Sequence, residues 1–193
     1  MRLKNYQLFL LALVVGMGAT VGYFAYAHAA SRPAPKIVPL SKDVFVTGQI
    51  EIRQVEKVRR AGYRTIVDLR PDGEAAGQAS AQEIEAEAAR SGIRFVYLPV
   101  PHGDAVPDQV VSQLSAVIEG QDTKPVLLYC RSGRRATRAW GLAEASRTGG
   151  MSVPEILQAA SSAGQSIDDL RTSIAARVQQ RATAVAVRPG ESR

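Results

Sequence analysis

Residues 125–140 read PVLLYCRSGRRATRAW, and the organisation of the whole chain can be worked out from them. After its proline the stretch PVLLY is wholly apolar, as expected of a strand buried on both faces of a sheet. Cys130 follows directly. Arg131-Ser132-Gly133-Arg134 then forms a short loop with glycine at a tight turn, and a helix runs from about Arg135 to Arg147, ended by Gly149-Gly150. Ligands of open α/β sheets sit beyond the carboxyl ends of strands, which is where this loop falls. Its successive N–H groups make an anion nest, to which the helix start adds partial positive charge. Arg135 reaches across with a forked guanidinium suited to a tetrahedral oxyanion. The same features favour thiolate over thiol at Cys130.

A lone cysteine after a core strand is ordinarily just a small buried hydrophobe. Here Arg131, Arg134 and Arg135 crowd within five residues of it, and they cannot enter an apolar core without a large desolvation penalty. Cys130 is therefore read as a nucleophile, with Arg131, Ser132, Gly133, Arg134 and Arg135 as the anion-binding loop. Taken individually, Arg134 and Arg138 read as solvated surface charges.

Outward from the loop, strand and helix patterns alternate. VFVTGQ (44–49) predicts a short strand, with helical spacing after it through Ile52, Val55 and Val58. Tyr63–Leu69 predicts a second strand, closed by the Pro71-Asp72-Gly73 turn. Ser80 with Glu83 makes a capping box at the next helix start, and Arg94–Val100 predicts a third strand. PHGDAVP is a loop, and Pro107 opens a helix through Val110, Val111, Leu114 and Ile118. Beyond the loop helix, two more are expected: Ser152–Ala163, and Ser166–Arg181 with Ser166 and Asp169 as its capping box. This alternation predicts an α/β fold in three layers: a mainly parallel sheet of four to five strands with helices on both faces.

The first thirty residues are of another kind. Arg2 and Lys4 precede an uncharged stretch from Tyr6 to Ala30, and Ala27-His28-Ala29 offers a small-x-small cleavage site. The apolar run is long enough to span a bilayer, so signal peptide and uncleaved anchor stand as equal readings. The charge precedes the run, which places the domain outside the cytoplasm and, if the segment is uncleaved, anchored through residues 6–27. The expected organisation is a leader (1–30), a proline-rich linker (31–41), a domain (42–181) and a flexible tail (182–193).

The chain's 193 residues suit one ordinary domain, and its 24 basic against 18 acidic residues leave a modest excess that suits an anionic substrate. No lysine-rich run with interleaved aromatics points to nucleic acid. One cysteine allows no internal disulfide, and a single thiol with His28 and His102 as the two histidines provides no metal-ligand cluster. No dinucleotide fingerprint follows the first strand, and no cofactor is expected.

From about Val44 to Ala176 the chain resembles the phosphatase-like domain of the beta-lactamase-hydrolase-like protein family. The likeness rests on VTGQI (46–50), LRPDGE (69–74), YLPV (97–100) and YCRSGRRA (129–136), in order and at matching spacing. Members resemble dual-specificity phosphatases in fold. The resemblance implies that Cys130 attacks phosphorus, that Arg135 binds the phosphoryl oxygens and that the backbone of 131–135 cradles them. A phosphatase of this kind also needs a proton donor on the loop after the preceding strand. Asp104 is the candidate there, with His102 as second choice and otherwise a substrate contact, and Asp108 inside the helix start. At the end of the second strand, Asp68, Arg70 and Asp72 could line the same cleft. Arg70 would be a second anion contact, whereas Asp72 reads better as a turn residue.

The sequence departs from the phosphatase pattern at three places. Five steps, not six, separate Cys130 from Arg135, a spacing that also resembles rhodanese sulfurtransferases; Ala136 stands where a hydroxyl is common, and Tyr129 where histidine is. Three functions stay open: a cysteine-dependent phosphatase acting on phosphate monoesters outside the cytoplasm, a sulfurtransferase carrying a persulfide on Cys130, and a non-catalytic module that holds an anion.

Overall fold

The computed structural model describes residues 36–103 and 105–186, together with Leu13, Met17, Gly18 and Thr20. The chain divides into two units, Met1–Ala34 and Pro35–Arg193. All but four residues of the expected leader, and residues 31–35 of the expected linker, lie outside the described residues. Among the described residues, no helix is long and apolar enough to cross a membrane.

The second unit is built on five strands: β1 (Val38–Pro39), β2 (Val44–Thr47), β3 (Thr65–Asp68), β4 (Arg94–Tyr97) and β5 (Val126–Tyr129). They lie in the order β1-β2-β5-β3-β4. β1 pairs antiparallel with β2, while β2, β5, β3 and β4 run parallel. β5 thus holds the middle of the sheet, as its wholly apolar sequence requires. Its side chains alternate between two cores. Val126, Leu128 and Cys130 face one side with Leu114 and Trp140, while Leu127 and Tyr129 face the other with Val55 and Ile84.

The helices cover those faces. Helices α1 (Ile52–Arg60) and α2 (Ala81–Ser91) pack on the Leu127 side, and α3 (Asp108–Glu119) with α4 (Arg134–Ser146) on the Leu128 side. Next come α5 (Val153–Ser162), a 3₁₀ turn (Asp168–Leu170) and α6 (Arg171–Ala186). The capping box at Ser80 and Glu83 forms as expected, and Ser152 makes a second with Glu155.

Four expectations change. β1 falls inside the stretch read as linker, because Val38 and Pro39 find an edge on β2 that no local pattern announces. The expected helix from Ser166 starts instead at Arg171. Ser166 hydrogen-bonds to Asp168, and Asp169 turns away to accept two hydrogen bonds from Arg138, so the capping box never forms. Arg138, read as a solvated charge, is accordingly 2% exposed. The last helix also runs on to Ala186, past the expected start of the tail.

The Gly149-Gly150 stop is set by close packing. A Cβ on Gly150 would lie 2.1 Å from the Glu144 carbonyl oxygen. Arg181 crosses there, donating to the carbonyls of Glu144, Gly150 and Met151, and so joins α6 to the end of α4. Gly150→Ala should therefore destabilise the protein by about 2 kcal/mol, read as a lower midpoint of thermal unfolding.

Candidate functional site

The loop after β5 is held from outside. The Gln49 N–H donates to the Arg131 carbonyl at 3.2 Å, and Gln165 Nε2 donates to the Ser132 carbonyl at 3.1 Å. The C=O and N–H of a trans peptide point in opposite directions. With those two carbonyls tied outward, the Ser132 and Gly133 N–H groups face the loop's interior. Gly48 allows the close approach, since a Cβ there would sit 3.3 Å from the Arg131 oxygen. Gly133 has φ +89°, a left-handed conformation that places it as the N-cap of α4. The helix begins at Arg134, one residue earlier than its pattern suggests. Thr137 is already committed to it: its N–H and its hydroxyl both donate to the Gly133 carbonyl.

Cys130 lies on the floor of this loop, 1% exposed, and is a free thiol. The Arg135 guanidinium lies beside its sulfur, near enough for the sulfur's charge to add to the upward shift of Arg135. Arg135 is itself fixed by two neighbours: Glu74 takes Nη1 at 2.5 Å and Nη2 at 2.6 Å, and the Val100 carbonyl also accepts from Nη1 at 2.9 Å. Glu74, only 9% exposed, accepts a further bond from Arg70 Nε at 3.0 Å. Arg70 Nη1 in turn donates to Gln49 Oε1 at 2.8 Å. The two guanidiniums, Arg135 foremost, pull the Glu74 carboxyl down to about 2, while Glu74 raises Arg135 above the usual guanidinium value. The result is a closed frame: Arg131 carbonyl, Gln49, Arg70, Glu74, Arg135.

The site residues expected from sequence fall in different places. Cys130 and Arg135 meet, and Gly133 is buried in the loop they share. Arg131, Ser132 and Arg134 lie exposed at its rim. Arg70 is in the frame, with Nε and Nη1 already bonded, so it supports the cradle through Glu74 and Gln49. His102 is 80% exposed, with Nε2 3.9 Å from Glu74 Oε1. Asp104 lies outside the described residues. Asp108, on the first turn of α3, is paired with Arg177. Asp72 accepts from the Ala81 N–H at the start of α2, the structural role its turn position suggested.

Glu74 and Gln49 escaped sequence reasoning. The available signal was their place in LRPDGE and VTGQI, and nothing local marks an acidic residue as the partner of an arginine 61 positions away. Asp68 is a second buried carboxyl beneath the loop, 2% exposed. It accepts from the Arg70 N–H at 2.8 Å, and the Tyr129 hydroxyl beside it favours its ionised form. Burial pushes it up to about 6 despite those bonds, and burial also pushes the Tyr129 hydroxyl upward. Tyr129, in the place of the more usual histidine, is thus committed to Asp68 on the far side of the sheet from Cys130.

The model of the family described as "Beta-lactamase hydrolase-like protein, phosphatase-like domain" matches residues 37–147. A beta-lactamase hydrolase-like protein of Xylella fastidiosa is 33% identical over 112 residues, 56% of this chain and 25% of its own length. Its counterpart in Agrobacterium fabrum is 28% identical over 113 residues, again 25% of its length. The chain spans about a quarter of these curated relatives. A candidate phosphatase from Neisseria meningitidis superposes with TM-score 0.62 at 28% identity, covering 76% of this chain and 99% of its own. The structure of Tk-PTP in its active form, at 20% identity and TM-score 0.57, covers 77% of this chain and 98% of its own, and shares the fold.

Two pH-linked outcomes follow from the carboxyls. Glu74 is depressed from its ordinary 4.5, so its stabilisation is complete above pH 4.5 and is lost as pH falls toward about 2. Glu74→Ala should cost about 3 kcal/mol at pH 7, with the gap to wild type closing on acid unfolding. Asp68 has the opposite sign. Its carboxyl is raised from 3.8 to about 6, so the destabilisation it brings is absent below pH 3.8 and complete above about pH 6. Asp68→Asn should raise stability by on the order of 1 kcal/mol at pH 8 and leave it unchanged at pH 3.5, measured by denaturant titration at both values.

Proposed function

The chain belongs to the phosphatase-like domain family of beta-lactamase hydrolase-like proteins, and on that premise we propose that it is a cysteine-dependent phosphatase acting on phosphate monoesters. The observation that carries this reading is the juxtaposition of the Cys130 sulfur with a guanidinium oriented by Glu74, below a loop whose amides face inward. A dianionic phosphoryl group would be held by those amides and by Arg135. The Cys130 thiolate attacks phosphorus, the S–P bond forms, and the P–O bond to the alcohol breaks. The departing oxygen takes a proton from the acid on the loop between β4 and α3, a role we assign to Asp104 from its sequence position. Water then attacks phosphorus, the S–P bond breaks to return the thiolate, and the proton of the water goes to the Asp104 carboxylate.

The uncharged run behind Arg2 and Lys4 supports work outside the cytoplasm, whether the leader is cleaved or retained as an anchor. A sulfurtransferase reading keeps one specific support, the five-step spacing from Cys130 to Arg135. It needs the cradle but no general acid.

The test is a paired assay on the purified protein, using p-nitrophenyl phosphate in one arm and thiosulfate with cyanide in the other. Ester turnover should vanish in Cys130→Ser and fall about a hundredfold in Arg135→Lys, which keeps the charge and loses the fork. With an ester of a poor leaving group, Asp104→Asn should lower turnover by on the order of a hundredfold. Thiocyanate formation without ester turnover would replace this reading by the sulfurtransferase one.

A further inference from the structure

A cavity of about 340 Å³ opens beside the cradle, against the outer wall of the same loop. It is lined by Ser132 and Gly133 of the loop, by Gly48 and Gln49 after β2, by the polar side chains of Lys36 and Gln165, and by apolar side chains of β1 and β2. Its volume is at the lower end for small-molecule pockets, too small for a folded partner. Neither Cys130 nor Arg135 lines it, so whatever it holds is not the group undergoing reaction.

Two features of the topology bring Lys36 here. β1 runs antiparallel to β2 with Val38 opposite Val46, so the residues before β1 travel toward the carboxyl end of the parallel strands, where the loop lies. The Thr47 hydroxyl then fixes the turn by donating to the Lys36 carbonyl at 3.1 Å. Lys36 makes no ion pair with any described residue, and its flexible stem lets the ammonium reach over the mouth of the cavity. The amides of Gln49 are already engaged: Nε2 donates to the Ile50 carbonyl, and Oε1 accepts from Arg70. Gln165 has spent only Nε2, on Ser132, which leaves Oε1 as an acceptor. Gln165 lies beyond the 37–147 stretch that the family shares, and Lys36 just before it.

Building on the phosphatase reading, we propose that this cavity is a second substrate subsite: it holds the alcohol part of a phosphate ester that carries a second anionic group and a hydrogen-bond donor, with Lys36 facing the charge and Gln165 Oε1 the donor. The cradle binds the reacting phosphoryl group and the cavity selects what is attached to it. Arg131 and Arg134 at the loop rim add positive field but lie outside the cavity, so they attract anions without choosing among them.

The experiment measures competitive inhibition of p-nitrophenyl phosphate turnover by glucose 6-phosphate and by glucose 1,6-bisphosphate, which differ in one anionic group. Wild type should bind the bisphosphate about fivefold more tightly, the scale of one partly screened ion pair, with the ratio shrinking as salt rises. Lys36→Ala should bring the ratio close to one, and Lys36→Glu should invert it. Lys57→Glu, the same charge change on the exposed face of α1, should leave the ratio as in wild type. Equal inhibition by both sugars in wild type, or a ratio that follows Lys57→Glu as closely as Lys36→Glu, overturns the subsite while p-nitrophenyl phosphate turnover still upholds the enzyme. Absence of that turnover in wild type removes the phosphatase reading, and the subsite falls with it.

Discussion

The carboxylate of Glu74 holds the arginine of the cradle in place, and the rest of the site is arranged around that bond. Arg135 is 11% exposed and Arg70 5% at the side chain. Two guanidiniums at that depth would repel each other and lose their hydration without a shared counterion. One carboxylate between them meets both needs, and its two oxygens fix the plane of the Arg135 fork. Through Arg70 the same carboxylate reaches Gln49, whose N–H holds the Arg131 carbonyl outward. Loop amides, thiol and guanidinium are therefore oriented together before any anion arrives, which is the condition for electrostatic preorganisation to lower a barrier.

The sheet delivers this arrangement because of where β5 runs. A central parallel strand ends at a defined edge, and the residue after it must go into a loop or a helix. Alternation along β5 sends Cys130 to the α3–α4 side and Tyr129 to the α1–α2 side. That separation explains how a buried carboxyl raised to about 6 can sit on the neighbouring strand, in register with Tyr129, without facing Cys130. Asp68 destabilises when ionised, yet it accepts from the N–H of Arg70, a residue of the frame.

Much of the fold was legible in the sequence, for reasons that can be named. Apolar runs such as VLLY and periodic stripes such as Val110, Val111, Leu114 and Ile118 specify burial locally, and burial determines element type. Ser80 with Glu83 marks a helix start because both partners lie within one turn. The misses share the opposite property. β1 exists because an edge of β2 is available to it, and Arg138 is buried because Asp169 comes from a distant segment to meet it. The Ser166 helix start fails for the same reason, since Asp169 serves Arg138 and not its own helix. At the site, the Cys130–Arg135 loop was readable because it is contiguous. Glu74 and Gln165 were not, since each reaches the loop across a sequence separation that no period encodes.

The central claim is chemical: the anion cradled here becomes bonded to the Cys130 sulfur. Rapid acid quenching during turnover of p-nitrophenyl phosphate, followed by peptide mass analysis, tests it most directly. The account predicts a peptide containing Cys130 heavier by one phosphoryl group, absent in Cys130→Ser and more abundant when hydrolysis of the intermediate is slowed. A Cys130 peptide that stays unmodified while ester is consumed would contradict it, as would one that gains only a sulfur atom from thiosulfate.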